Sequence, residues 1–166
     1  MNYNVLIVED EPVLARNMHL YLERQGLSCQ TAGSGEEGLA LLEDQRPDVV
    51  VLDHNLPGQD GLTVLKRMRE REPQLPVVMA TGHGSEQVAV DAMKNGAFEF
   101  IEKPYVQDHL LTTLDNAFGE LDRRVNALGK LDDAKERIAK LSNRERQVMQ
   151  GLLDGLPNKL IAYNLG

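Results

Sequence analysis

The sequence predicts an α/β fold: a doubly wound, five-stranded parallel sheet with helices on both faces, followed by a long helical linker and an incomplete all-α unit. Two observations carry that prediction. Over residues 1–120, five short β-branched or apolar runs alternate with five helical patterns, the signature of strand–helix repeats. Near Leu110 the pattern changes to apolar residues spaced by four and three, which a sheet does not produce.

The strands are expected at Asn4–Val8, Ser28–Ala32, Val49–Asp53, Pro76–Ala80 and Phe98–Glu102. The first and third are nearly all apolar, as strands buried on both faces should be, whereas Ser28–Ala32 is half polar and suits an edge. Helices are expected at about Glu11–Gln25, Gly35–Gln45, Leu62–Glu72 and Ser85–Asn95, with a fifth from about Gln107; Gly26, Asn95 and Gly96 stand where helices end. Leu114, Phe118, Leu121, Val125 and Leu128 then form a heptad seam, and Leu131, Ala134, Ile138 and Leu141 continue it after a discontinuity near Gly129. The seam outruns what the sheet can cover, so a dimer-forming helical linker is expected. Ser142 and Glu145 make a capping box that starts a new helix to about Leu153, with Gly155 as its stop. Pro157 suits the first turn of another helix, to Asn164.

Composition narrows the class. The net charge is −8, but residues 1–120 hold 9 Lys/Arg and 20 Asp/Glu, whereas residues 121–166 hold 9 and 6. An acidic body with a basic tail is the asymmetry expected when only the tail meets nucleic acid. Cys29 is the single cysteine, which excludes an intramolecular disulfide. No apolar stretch is long enough to span a bilayer and the first residues do not resemble a signal peptide, so a cytoplasmic location is expected.

In parallel α/β sheets, ligands bind beyond the carboxyl ends of the strands. Glu9 and Asp10 follow the first strand, Asp53 ends the third, Thr81 follows the fourth and Lys103 follows the fifth. If the strands are neighbours, three carboxylates converge and repel one another unless a cation is present. Mg²⁺ suits one or two carboxylates plus waters and phosphate oxygens, and Lys103 adds a fixed positive charge.

These residues carry a resemblance. VEDEP at 8–12, LDHNLPGQDG at 52–61, MATG at 79–82 and FEFIEKP at 98–104 resemble the receiver domain of two-component response regulators over residues 1–120. LSNRERQVMQGLLDGLPNKLIAYNLG at 141–166 is similar to the first half of the helix-turn-helix of the FixJ/NarL/LuxR class, FixJ above all. The resemblance implies a flavodoxin-like sheet of order 2-1-3-4-5, with a receiver at 1–120, a coiled-coil-like linker at 121–141 and a truncated helix-turn-helix at 142–166. It implies that Asp53 accepts a phosphoryl group from a sensor histidine kinase. Asp10, Asp53 and the backbone carbonyl of Asn55 would ligate Mg²⁺, with Glu9 acting through water. Lys103 would contact the phosphoryl group, Thr81 would move to hydrogen-bond it, and Phe100 would be the aromatic that turns inward. Asn55 and His83, two residues beyond Asp53 and Thr81, would tune its lifetime. Phosphorylation would pair two receivers through the fourth helix, fifth strand and fifth helix, or through the linker. The chain would catalyse only its own phosphorylation and dephosphorylation. The sequence departs from the common pattern at Glu9, often Asp, and at Leu56, usually Met. No recognition helix follows Gly166, so a fragment that binds DNA specifically only in a longer form is expected.

Two other readings compete. Gly33, Gly35 and Gly38 fit G-x-G-x-x-G after a strand, a dinucleotide-binding pattern, but Glu36 and Glu37 would repel a pyrophosphate there. A Mg²⁺-dependent aspartyl phosphohydrolase would share the Asp nucleophile, but it needs a second acid where Asn55 stands.

Overall fold

The computed structural model describes residues 3–82 and 86–165. His83, with the lifetime role read for it, and Ser85, the expected start of the fourth helix, lie outside the described residues. The chain divides into two compact units, Met1–Leu121 and Asp122–Gly166.

The first unit is built on β1 (Asn4–Val8), β2 (Ser28–Ala32), β3 (Val49–Asp53), β4 (Val77–Thr81) and β5 (Glu99–Glu102), all parallel in the order β2-β1-β3-β4-β5. β3 and β4 are buried along their whole length, while β2 exposes Ser28, Gln30 and Thr31 as an edge strand does. β4 begins one residue later than the sequence suggests. Pro76 has no N–H to give and serves only as acceptor, from Val50 N at 3.0 Å, while Thr81 O accepts from Lys103 N at 2.7 Å and extends the ladder.

The helices are α1 (Pro12–Arg24), α2 (Gly35–Gln45), α3 (Gly61–Arg71), α4 (Glu86–Lys94) and α5 (Gln107–Ala139). They cover two separate apolar clusters, one on each face of the sheet. α1 and α5 close over Ile7, Val51 and Ile101, while α2, α3 and α4 close over Leu6, Leu52 and Met79. Local chemistry sets the helix starts. Pro12 occupies the first turn of α1, where its missing N–H costs nothing. Ser34 Oγ accepts from Glu37 N at 3.2 Å to begin α2, and Asp60 Oδ1 accepts from Thr63 N at 2.7 Å to begin α3.

The glycines of the G-x-G-x-x-G run have a packing role. A Cβ on Gly35 would strike the Val64 side chain, and one on Gly38 would stand 2.8 Å from Val8 Cγ2. They let α2 approach α3 and β1 closely, and Glu36 and Glu37 occupy the first turn of α2.

α5 is a single helix of 33 residues that runs through Gly129 without a break. It corrects part of the expected seam. Leu114 and Phe118 are buried in the first unit's own core, where Phe118 stacks on Tyr3 with ring centroids 4.0 Å apart, and Leu121 packs partly against the same cluster. Of the first five seam residues only Val125 and Leu128 are exposed, each at 63%, and Leu131 and Ile138 in its continuation are exposed too. In the second unit, α6 (Asn143–Leu153) begins at the expected capping box, with Ser142 Oγ accepting from Glu145 N at 3.3 Å and Glu145 Oε2 accepting from Ser142 N at 2.7 Å. α7 (Asn158–Asn164) follows, with Pro157 just ahead of its first turn, and Ile161 packs against Gly151.

The Asp60 cap gives a pH-dependent prediction. Its bond from Thr63 N lowers the carboxyl below its ordinary value of 3.8. A lowered carboxyl contributes stability that is complete above its unfolded value and is lost as pH falls through the lower native value. Asp60→Ala should cost about 1 kcal/mol at pH 7. Urea denaturation should show the gap to the parent protein narrowing as pH falls below the ordinary carboxyl value of 3.8.

Candidate functional site

The register of the sheet decides which side chains meet. Asp53 on β3 stands opposite Ala80 on β4, and Thr81 opposite Glu102 on β5, while Val8 on β1 pairs with Leu52. Residues at or just past these ends therefore share one rim: Glu9 and Asp10 after β1, Asp53 on β3, Thr81 on β4 and Lys103 after β5. Gly61 brings α3 against this rim. A Cβ there would collide with the backbone oxygen of Asp53 and lie 2.6 Å from His54 Cα. Its N–H donates to His54 O at 2.7 Å. In the sequence this role of Gly61 shows only as a glycine directly after Asp60, a residue type that caps helices.

One carboxylate oxygen from each of Glu9, Asp10 and Asp53 falls within a 4.8 Å cluster. Glu9 and Asp53 are buried, at 4% and 5% exposure, while Asp10 is exposed, so the cluster opens on the Asp10 side. Lys103 Nζ sits between the two buried groups, 2.5 Å from Glu9 Oε2 and 3.3 Å from Asp53 Oδ2. Backbone donors complete the set: Asn55 N donates to Asp53 Oδ1 at 3.2 Å and Glu11 N to Glu9 Oε1 at 3.3 Å.

One ammonium does not neutralise three carboxylates. Burial pushes the Glu9 carboxyl above its usual range, its hydrogen bond from Lys103 opposes that, and the Asp53 charge adds to the rise. The same field reaches Tyr105, whose hydroxyl is pushed up to about 12 by burial and then by Glu9 and Asp53. The donor set is all oxygen, partly buried and under-neutralised, which fits a hard divalent cation. Beside it, a cavity of about 490 Å³ runs along α1 past Asp10, Arg16 and His19.

The remaining predicted site residues fall around this pocket. Thr81 is fully buried at the end of β4. Phe100 is half-buried, packed on the α2–α4 face of the sheet. Asn55 lies exposed at the rim.

Comparison with known proteins agrees with this geometry. Residues 5–115 match the response regulator receiver domain, and residues 139–166 match the luxR family of bacterial regulatory proteins. The chain belongs to the response-regulator family. It is 35% identical to the transcriptional regulatory protein FixJ of Bradyrhizobium diazoefficiens over 159 residues, 96% of this chain and 78% of that one. Against FixJ of Rhizobium meliloti it is also 35% identical, covering 99% of this chain and 80% of that one. Among solved structures, a CheY-like receiver domain from Methanospirillum hungatei superposes with a TM-score of 0.72 at 26% identity, covering 75% of this chain and 99% of that one. The receiver domain of NtrX from Brucella abortus does so with 0.65 at 37% identity, covering 68% and 96%. This response regulator is accordingly a two-component transcription regulator, with the sensor kinase and DNA that its receiver and LuxR-type parts imply as partners. Receiver domains bind Mg²⁺ at such an acidic group, and neither a dinucleotide-binding domain nor a small-molecule phosphohydrolase is favoured. Among the described residues, no helix is long and apolar enough to cross a membrane.

The pocket's electrostatics predict a stability effect. Lys103→Met leaves Glu9 and Asp53 buried without their counter-ion, which should cost the metal-free protein about 3 kcal/mol. Urea denaturation in a chelator should show that loss, and added Mg²⁺ should recover most of it.

Proposed function

We propose that Asp53 is the phosphoacceptor of this regulator. The observation that carries the reading is the convergence of Glu9, Asp10 and Asp53 around Lys103 at one rim of the sheet. An Asp53 oxygen attacks the phosphorus of a phosphohistidine on the sensor kinase; the P–N bond breaks and its electron pair returns to the imidazole. Lys103 balances the charge of the transferring oxygens from a position already fixed beside Asp53. Asp10, Asp53 and the Asn55 carbonyl would hold Mg²⁺, with Glu9 acting through water, and the ion would supply further neutralisation of the phosphoryl oxygens. Asn55, with its exposed amide, tunes the lifetime of the acyl phosphate, and His83 is assigned the same tuning role from its place in the sequence.

The added charge biases a two-state element. Thr81 turns from its buried position to hydrogen-bond the phosphoryl group and Phe100 moves further inward. The surface of α4, β5 and α5 then pairs two copies. That surface exposes Val90 and Met93 on α4 and Val106 just before α5. Val125 and Leu128 add an exposed apolar contribution on the linker. In this reading residues 1–120 are the receiver, 121–141 the linker and 142–166 part of the DNA-binding unit, all acting in the cytoplasm.

Acetyl phosphate with Mg²⁺ tests this. The protein should gain the mass of one phosphoryl group and shift toward a dimer on size-exclusion chromatography, and Asp53→Asn should do neither. A folded protein that stays unmodified, or an Asp53→Asn variant that is modified to the same extent, contradicts the assignment.

A further inference from the structure

The first acidic position holds Glu9, and its side chain has a partner that a simple ligand role does not explain. Glu9 Oε2 lies 2.5 Å from Lys103 Nζ, closer than Asp53 Oδ2 at 3.3 Å. Lys103 is 16% exposed and Glu9 4% exposed, so this is a largely desolvated, charge-assisted contact rather than a surface pair. Its other oxygen, Oε1, accepts from Glu11 N, which fixes the carboxylate's orientation toward the lysine. An aspartate at this position would be one methylene shorter. A retreat of about 1.5 Å takes the oxygen out of hydrogen-bond range of the ammonium.

From this contact we infer that Glu9 is a positioning residue that parks Lys103 as an internal counter-ion, in direct competition with Mg²⁺. The inference rests on the reading of the pocket as a Mg²⁺ site given above. A divalent cation and the Lys103 ammonium draw on the same carboxylates, Glu9 and Asp53, and they repel each other when both are present. The ammonium must therefore give up its contact with Glu9 when the metal binds. Lys103 then remains beside Asp53, where the phosphoryl group arrives. The length of the Glu9 arm sets how much Mg²⁺ is needed to release the lysine.

Calorimetric titration of the full chain with MgCl₂ at neutral pH and fixed ionic strength tests the competition through binding rather than activity. Glu9→Asp keeps a carboxylate for the metal but loses the lysine contact, so it should bind Mg²⁺ about fivefold more tightly or better. Lys103→Met should do the same, and adding Glu9→Asp to Lys103→Met should bring little further gain. Lys103→Gln serves in its place if the methionine variant does not fold. Glu9→Asp binding that is unchanged or weaker overturns the inference, as does a gain that persists in full without Lys103. Those outcomes leave the metal site itself standing. Absence of Mg²⁺ binding in every folded variant overturns both this inference and the function proposed above.

Discussion

Everything in the receiver unit is arranged around an unfavourable juxtaposition: two buried carboxylates and a third at the surface, gathered into less than 5 Å at the end of a parallel sheet. Left alone, such groups repel and pay the full cost of desolvation. Lys103 offsets part of this by bridging Glu9 and Asp53. The residual negative charge is what makes the pocket fit a cation, and in the proposed function a cation there would let Asp53 take a phosphoryl group. The same imbalance that strains the metal-free state thus supplies the binding energy for the ligands.

The sheet makes that juxtaposition possible because it is parallel and its central strands are buried on both faces. Parallel pairing brings the carboxyl ends of β1, β3 and β4 together, and crossovers through helices leave that rim open. The helices are seated by details that bear on the rim. Gly61 allows α3 to begin against the backbone of Asp53, and Asp60 fixes where that turn starts. Gly35 and Gly38 let α2 lie close to Val64 and Val8, so the strand that leads into Glu9 and Asp10 is backed by a tightly packed layer.

Strand and helix positions were legible because the periodicity is strong and each end has a local cause: a proline, a capping side chain, a glycine. The site was legible because four strand ends each carried an unusual polar residue, and the topology rule places such ends together. Pairwise geometry was less so. Sequence could place Lys103 at the rim but could not show that its ammonium lies nearer Glu9 than Asp53, which depends on side-chain length and burial. The heptad spacing was real, yet it could not tell which members face the parent sheet. Leu114 and Phe118 satisfy their pattern within their own core, because an amphipathic helix packing on a sheet and a coiled coil share nearly the same spacing. The glycine run is ambiguous in a similar way, since close helix packing and phosphate approach both demand a missing Cβ; Glu36 and Glu37 in the first turn of α2 are what speak against a phosphate.

The binding place of a phosphoryl mimic is the most direct test of Asp53 as the phosphoacceptor. A crystal structure of the protein with Mg²⁺ and beryllium trifluoride should show the beryllium bonded to an Asp53 oxygen, with Lys103 Nζ and Thr81 Oγ1 hydrogen-bonded to its fluorides and the metal held by Asp10 and Asp53. A mimic bonded elsewhere, or an adduct on Asp53 that leaves Lys103 paired with Glu9 and Thr81 Oγ1 out of reach of the fluorides, would contradict it.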